Sequence, residues 1–410
     1  MASRTIYDLI FNGFENIDIK KMLVILDETY DAQITLHQQM KKYINSRWYD
    51  RYKYEYNQSP KNKLIAFYSD LYYRKDHLKI FTDFIKEFPQ FDYVIPIRLA
   101  KDRKNFSRGI KMTKWDFSNW RKIKNVKMPF KHKLYLIRVL GLIRLYYPQM
   151  KRYLDAKFYS YGLVYNDSNP YENVLVQIMR QKGMYTATMQ HGLFDKHGYW
   201  KGLEFRTSVA DDWLAWNSHT KELAMECGIP EKKIKVLGIP RYIHPVKSAE
   251  KNKNKTFCVV LGSKKASQEN KKMIQFANTL AKNQGMQYFL RCHPTCKERE
   301  FYALINEQCQ KKDGTEESIN QMCEQSDFCL IGSGTSMVID LIYLKQPFLQ
   351  YYQEWDGNEY KGRKNYFRNE EELLKQIKQK AMFLDEKSFN YYCTTSKVKE
   401  SYSQYFNTLL

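Results

Sequence analysis

From Leu64 onward, short apolar runs alternate with amphipathic segments. "KLIAFYSD" and "DYVIPIR" are rich in β-branched and aromatic residues and read as strands. Between them, "YRKDHLKIFTDFIKEF" places its apolar residues at helical spacing. Further strands are predicted at "YGLVYND" (161–167), "MYTATMQHG" (184–192), "DDWLAWN" (211–217) and "KIKVLG". The intervening helices are "ENVLVQIMRQKG", ending on Gly183, and "SHTKELAMECG", capped by Ser218 and stopped by Gly228. Such alternation predicts a parallel sheet covered on both faces.

The pattern breaks at "HPVKSAEKNKNKT" (244–256), a lysine-rich, proline-containing stretch that reads as a linker. It resumes with strand "TFCVVLGS", helix "ENKKMIQFANTLAKNQG", strand "MQYFLRCHP" and helices "EREFYALINEQCQ" and "SINQMCEQ". Strand "DFCLIG", helix "TSMVIDLIYLK" and strand "PFLQYY" complete the series. The expected fold is therefore α/β, with two Rossmann-like, doubly wound domains. The first spans 1–247 and the second 248–390, and a C-terminal helix in 391–410 is expected to cross back to the first. Residues 36–60, "LHQQMKKYINSRWYDRYKYEYNQSP", read equally as a helix pair or an interaction segment.

Open parallel sheets bind ligands at the carboxyl ends of their strands, and the polar clusters fall at such ends. "GSGTSM" offers Gly332, Ser333, Gly334, Thr335 and Ser336 between a strand and a helix, a turn suited to a phosphate; a plain hydroxyl-capped helix fits equally well. "LRCHPT" puts Arg291 and His293 at the end of the preceding strand. Cys292, His293 and Cys296 make a poor metal set, because neighbours on a strand point to opposite faces and no second ligand pair follows. "TMQHGLFDKHG" ends a first-half strand with Gln190, His191 and Gly192, followed by Asp195 and His197. A histidine there is a candidate general base or a hydrogen-bonded turn residue. There is no P-loop sequence.

The order of these clusters resembles the GT-B glycosyltransferases and their relatives in bacterial surface-polysaccharide assembly, including the CDP-glycerol glycerophosphotransferases and the capsule Kdo- and sialyl-type transferases. The resemblance runs from about residue 160 to 350 through "QHG", "WNSHTKELAMECGIPEKKIKVLGIPRY", "LGS", "RCHP" and "GSGTSMVIDLIYLKQP". It implies a glycosyltransferase in which His191 is the catalytic base, oriented by Asp195, with Gln190 and Gly192 shaping its turn. Arg291, His293, Ser333, Gly334, Thr335 and Ser336 would hold the donor phosphates, and Asp340 would take the donor's ribose or sugar. The implied substrates are a nucleotide-activated sugar and a glycan or polyprenyl-diphosphate-linked acceptor, with neither cofactor nor metal. Two departures stand out. Gln190 occupies the place where the glycerophosphotransferases usually have Trp, and Pro347 and Phe348 stand where a Glu-x7-Glu pattern would end. A CDP-glycerol- or ribitol-type polyol-phosphate transferase is the alternative within the group.

Charge widens the picture. Lys and Arg number 67 against 45 acidic residues, a formal charge of +22 that calls for an anionic partner. Between Lys101 and Lys133 the cations crowd together with Trp115, Phe117 and Trp120. This stretch suits an anionic membrane surface, a solvated basic face, or the stacking platform of a nucleic-acid-binding protein, which is the rival class. The start lacks a signal-peptide pattern and no window reaches about 18 apolar residues. The eight cysteines read as small buried residues. The expected location is the cytoplasm, peripheral on the inner face of the membrane.

Overall fold

The computed structural model describes residues 52–68, 75–98, 150–192, 208–244, 255–263, 266–293, 296–311, 319–332, 337–352, 365–380, 386–393 and 397–409, with isolated positions such as 120–121, 205 and 335. In the first half, strands β1 (Tyr52–Asn57) and β2 (Leu64–Phe67) precede helix α1 (Lys75–Lys86) and β3 (Phe91–Arg98). Then come β4 (Tyr161–Val164), α2 (Pro170–Gln181), β5 (Tyr185–Met189), β6 (Asp212–Ala215), α3 (Ser218–Glu226) and β7 (Ile234–Val236). The second half holds β8 (Thr256–Val260), α4 (Ser267–Gln284), β9 (Gln287–Arg291), α5 (Ile319–Gln325), β10 (Phe328–Ile331), α6 (Met337–Tyr343), β11 (Phe348–Tyr351) and β12 (Tyr366–Phe367). Three helices close the chain: α7 (Glu370–Lys378), α8 (Glu386–Cys393) and α9 (Val398–Asn407).

Two sheets form, in the orders β1-β3-β2-β4-β5-β6-β7 and β12-β11-β10-β8-β9. All neighbours are parallel except β1, which runs antiparallel along β3. In each sheet the second parallel strand lies outside the first, while later strands extend the other way. The winding therefore reverses between β2 and β4 and again between β8 and β10, at the two topological switch points.

Both sheets are buried on both faces. Leu64, Ala66 and Leu214 face one core with α1 and α9, whereas Trp213 and Ala215 turn to a second cluster with Leu223 of α3. In the second half Phe257 and Val259 face α4, and Cys258 and Val260 face α6 and α8. That last cluster also takes in Trp216, Ile239 and Tyr242 from the first half, so the halves share apolar packing.

Several elements differ from the sequence reading. Asn217, not Ser218, caps α3, its side chain accepting from the Thr220 amide; a residue just outside the helix has the geometry for this and one inside does not. The predicted helix over 298–310 is a short 3-10 turn, Glu298–Phe301. Beyond it the chain lies along the open edge of β9, with Tyr288 and Gln310 amides donating across. Asn278 pins it, donating to Leu304 O and accepting from the Asn306 amide. Pairing an exposed edge outweighed helix propensity there. "YKYEYN" is strand β1, with the Tyr56 and Tyr159 hydroxyls hydrogen bonded at 2.7 Å. Residues 245–254 of the predicted linker (244–256), residues 1–51 and nearly all of the basic stretch 101–133 lie outside the described residues. Among the described residues no helix is long and apolar enough to cross a membrane.

The last helix sets a test. Tyr402 and Phe406 are fully buried against Phe84, Phe88 and Phe91 of the first half. Phe406→Ala should cost about 3–5 kcal/mol, read as a lower urea midpoint for the transition that reports the first sheet.

Candidate functional site

The first cluster assembles around the β2/β4 switch point. Tyr68 and Tyr165 follow those two strands, with rings 5.2 Å apart, and His77 in the first turn of α1 lies 5.4 Å from the Tyr165 ring. His191, two residues beyond β5, is half-buried beside them, 6.0 Å from His77 and 6.4 Å from Tyr165. Asn166 Nδ2 lies 3.4 Å from His191 Nε2. The amide is oriented because its Oδ1 accepts from the Ser168 amide and hydroxyl. Nδ2 can only donate, so the contact favours the tautomer with a lone pair on Nε2. That is the form a general base requires.

Gln190 explains how the turn stands without Trp. It is buried, and its Oε1 accepts from the Trp216 amide at 2.7 Å while its Nε2 donates to Gly192 O at 2.7 Å and Thr220 Oγ1 at 3.3 Å. One side chain thus ties the turn after β5 to the turn after β6 and the start of α3. Gly192 has open space where a Cβ would project. Asp195 and His197 lie outside the described residues.

Nearby, Asp167 is buried and its Oδ2 accepts from the Ser208 hydroxyl and the Val209 and Ala210 amides, which anchors the chain entering β6. Burial pushes its carboxyl up, against the pull of those hydrogen bonds.

The second cluster sits at the β8/β10 switch point. Gly262 follows β8 and is clamped by Asn270 of α4, which accepts from its amide at 2.8 Å and donates to its carbonyl at 3.1 Å. Gly332 follows β10, and a Cβ there would meet Glu269 Oε1 at 2.4 Å, so a side chain at this position would displace the Glu269 carboxylate. Thr335 is half-buried and its hydroxyl oxygen accepts from the Met337 amide, capping α6. Ser333, Gly334 and Ser336 lie outside the described residues.

Arg291 ends β9 level with Val260, which is itself level with Ile331. Two strand spacings therefore separate the ends of β9 and β10 by about 10 Å. Arg291 is half-buried and His293 is exposed beyond it. Between them burial pushes the Cys292 thiol up to about 12.

Asp340 is held by protein partners. It is buried, and its carboxylate accepts from Arg241 Nη1 at 2.9 and 2.8 Å and from the Tyr242 hydroxyl at 2.6 Å. Tyr242 also stacks on Tyr343 of α6, with centroids 3.8 Å apart. Burial and the Asp340 carboxylate push the Tyr242 hydroxyl far up, so it remains a donor. Asp340 is occupied by the segment that closes the first half, a turn over Pro240–Tyr242. Sequence reading passed over this Arg241, although it stands in the quoted "GIPRY"; it passed over Asn166 and His77 as well.

No protein-family model matches the chain, and no curated protein gives a significant match. Solved structures do resemble it. The UDP-GlcNAc 2-epimerase of Methanocaldococcus jannaschii, in complex with UDP-GlcNAc and UDP, superposes with a TM-score of 0.53 at 14% identity, covering 84% of this chain and 99% of that one. The apo lipopolysaccharide outer core galactosyltransferase WaaB gives 0.49 at 14% identity over 85% and 100%, and a Rickettsia africae glycosyltransferase 0.47 at 14% over 85% and 99%. The likeness is one of fold. With its two doubly wound halves, the chain has the GT-B architecture.

Gln190 carries the local prediction. Gln190→Ala leaves the buried Trp216 amide without its acceptor, and should destabilise by about 1–3 kcal/mol in thermal unfolding.

Proposed function

We propose that the chain is a glycosyltransferase moving a sugar from a nucleotide-activated donor to an acceptor hydroxyl. The observation that carries the reading is His191, paired with Asn166, at one switch point and a glycine-bearing turn suited to a phosphate at the other. Contacts of the Pro240–Tyr242 turn with α6 link the two halves. Donor binding falls to Arg291, His293, Thr335 and the neighbouring Ser333, Gly334 and Ser336. In the transfer, the acceptor hydroxyl displaces Asn166 from His191 Nε2, which takes the hydroxyl proton as the acceptor oxygen bonds to the sugar's anomeric carbon. The bond from that carbon to the phosphate oxygen breaks, and the electron pair leaves with the nucleotide. Arg291 and His293 supply positive charge to the leaving group, so the reading expects activity to survive EDTA. A lipid-linked surface glycan as acceptor, and an anionic membrane beneath the enzyme, fit the formal charge of +22.

A binding screen of CMP, CDP, UDP, GDP and dTDP identifies the donor class. A response to oligonucleotides alone would favour the nucleic-acid rival. Conversion of UDP-GlcNAc to its 2-epimer without any acceptor would replace transfer by epimerisation. Transfer of glycerol phosphate from CDP-glycerol would select the polyol branch. With a saturating donor, His191→Ala should lower turnover about 10²- to 10⁴-fold and leave nucleotide affinity nearly unchanged; near-normal turnover would make His191 structural. His293→Ala should weaken nucleotide affinity without lowering the melting temperature of the unliganded protein.

A further inference from the structure

Arg241 belongs to the first half, yet its side chain reaches α6 of the second. Nη1 alone serves both oxygens of Asp340. The Nε and Nη2 groups, which form the two-pronged edge of a guanidinium, donate to nothing among the described residues, and 36% of the side chain is exposed. Helical Cα–Cβ bonds tilt toward the N-terminus, so the Asp340 carboxylate covers the turn before it. The guanidinium therefore lies at the first turn of α6, the helix that follows the β8/β10 switch point. Burial pulls the guanidinium down, but Asp340, then Tyr242 and Tyr165, outweigh it and hold the charge in place. Tyr165 is the residue whose ring lies 6.4 Å from that of His191. Arg241 thus joins the end of the first half to α6 of the second.

We infer that Arg241 binds the phosphate of the nucleotide donor, its Nε/Nη2 edge taking two phosphate oxygens while Asp340 fixes the guanidinium. A planar fork matches phosphate geometry, and a fork already held in position loses little freedom on binding. The inference rests on the proposed transfer reaction, because it needs a nucleotide ligand.

Calorimetric titration of the full chain, with the nucleotide from the screen and with its parent nucleoside, tests it. Arg241→Gln should weaken nucleotide affinity about 10- to 100-fold and leave nucleoside affinity unchanged, with Arg241→Lys between. Because Arg241→Gln also breaks the pair with Asp340, a second measurement uses the wild-type chain. Phenylglyoxal modification of Arg241, read by peptide mass spectrometry, should be suppressed by the nucleotide and not by the nucleoside. Equal nucleotide affinity in a folded Arg241→Gln variant, or equal labelling with and without nucleotide, overturns the Arg241 assignment and leaves the transfer reading intact. A wild-type chain that binds no nucleotide overturns both.

Discussion

Parallel strands give neither face of a sheet to water, and the structure follows from that constraint. Alternate residues of β6 and β8 enter different apolar clusters, so helices must cover both sides of each sheet. Polar and conformationally special residues are left to the strand ends. There the reversal of winding opens a crevice that the covering helices do not fill. His191 with Asn166 and the pair Gly262 and Gly332 are found at such ends because little else in the fold tolerates them.

The alternation of apolar runs and amphipathic segments made the parallel layout legible, since strand burial and helix spacing are local properties. What escaped was decided across the fold. "EREFYALINEQCQ" has helical spacing, but the Asn278 side chain and a single bridge from Cys309 to the open edge of β9 captured it as a string of turns. β1 was obscured because a polar, tyrosine-rich edge strand lacks the apolar face that marks a central one.

The candidate site was legible in the same uneven way. His191, Thr335 and Arg291 stand out because each lies at the end of a strand-like run. Asn166 does not stand out: its contact with His191 depends on β4 and β5 being neighbours, and its orientation on a hydroxyl two residues away. Asp340 was legible as a polar residue near the turn, but its partners were not. Its spacing from the phosphate turn fits a ligand, but a buried carboxylate must be satisfied where it lies, and Arg241 and Tyr242 do so from the other half. A carboxylate in a plausible position is decided by which cation reaches it first.

The position of α9 bears on synthesis. Lys399 pairs with Glu87, 312 residues earlier, and Phe406 packs on Phe84 and Phe91 of the same core. At about 5–20 residues per second, a ribosome needs roughly 15 to 60 s to cover that interval. From the completion of β7 onward the face of the first sheet that receives Tyr402 and Phe406 is made but uncovered, an apolar surface waiting on the growing chain. The second sheet, closed by elements that follow it directly, can complete its packing first. The half that is translated first is therefore the half whose core closes last.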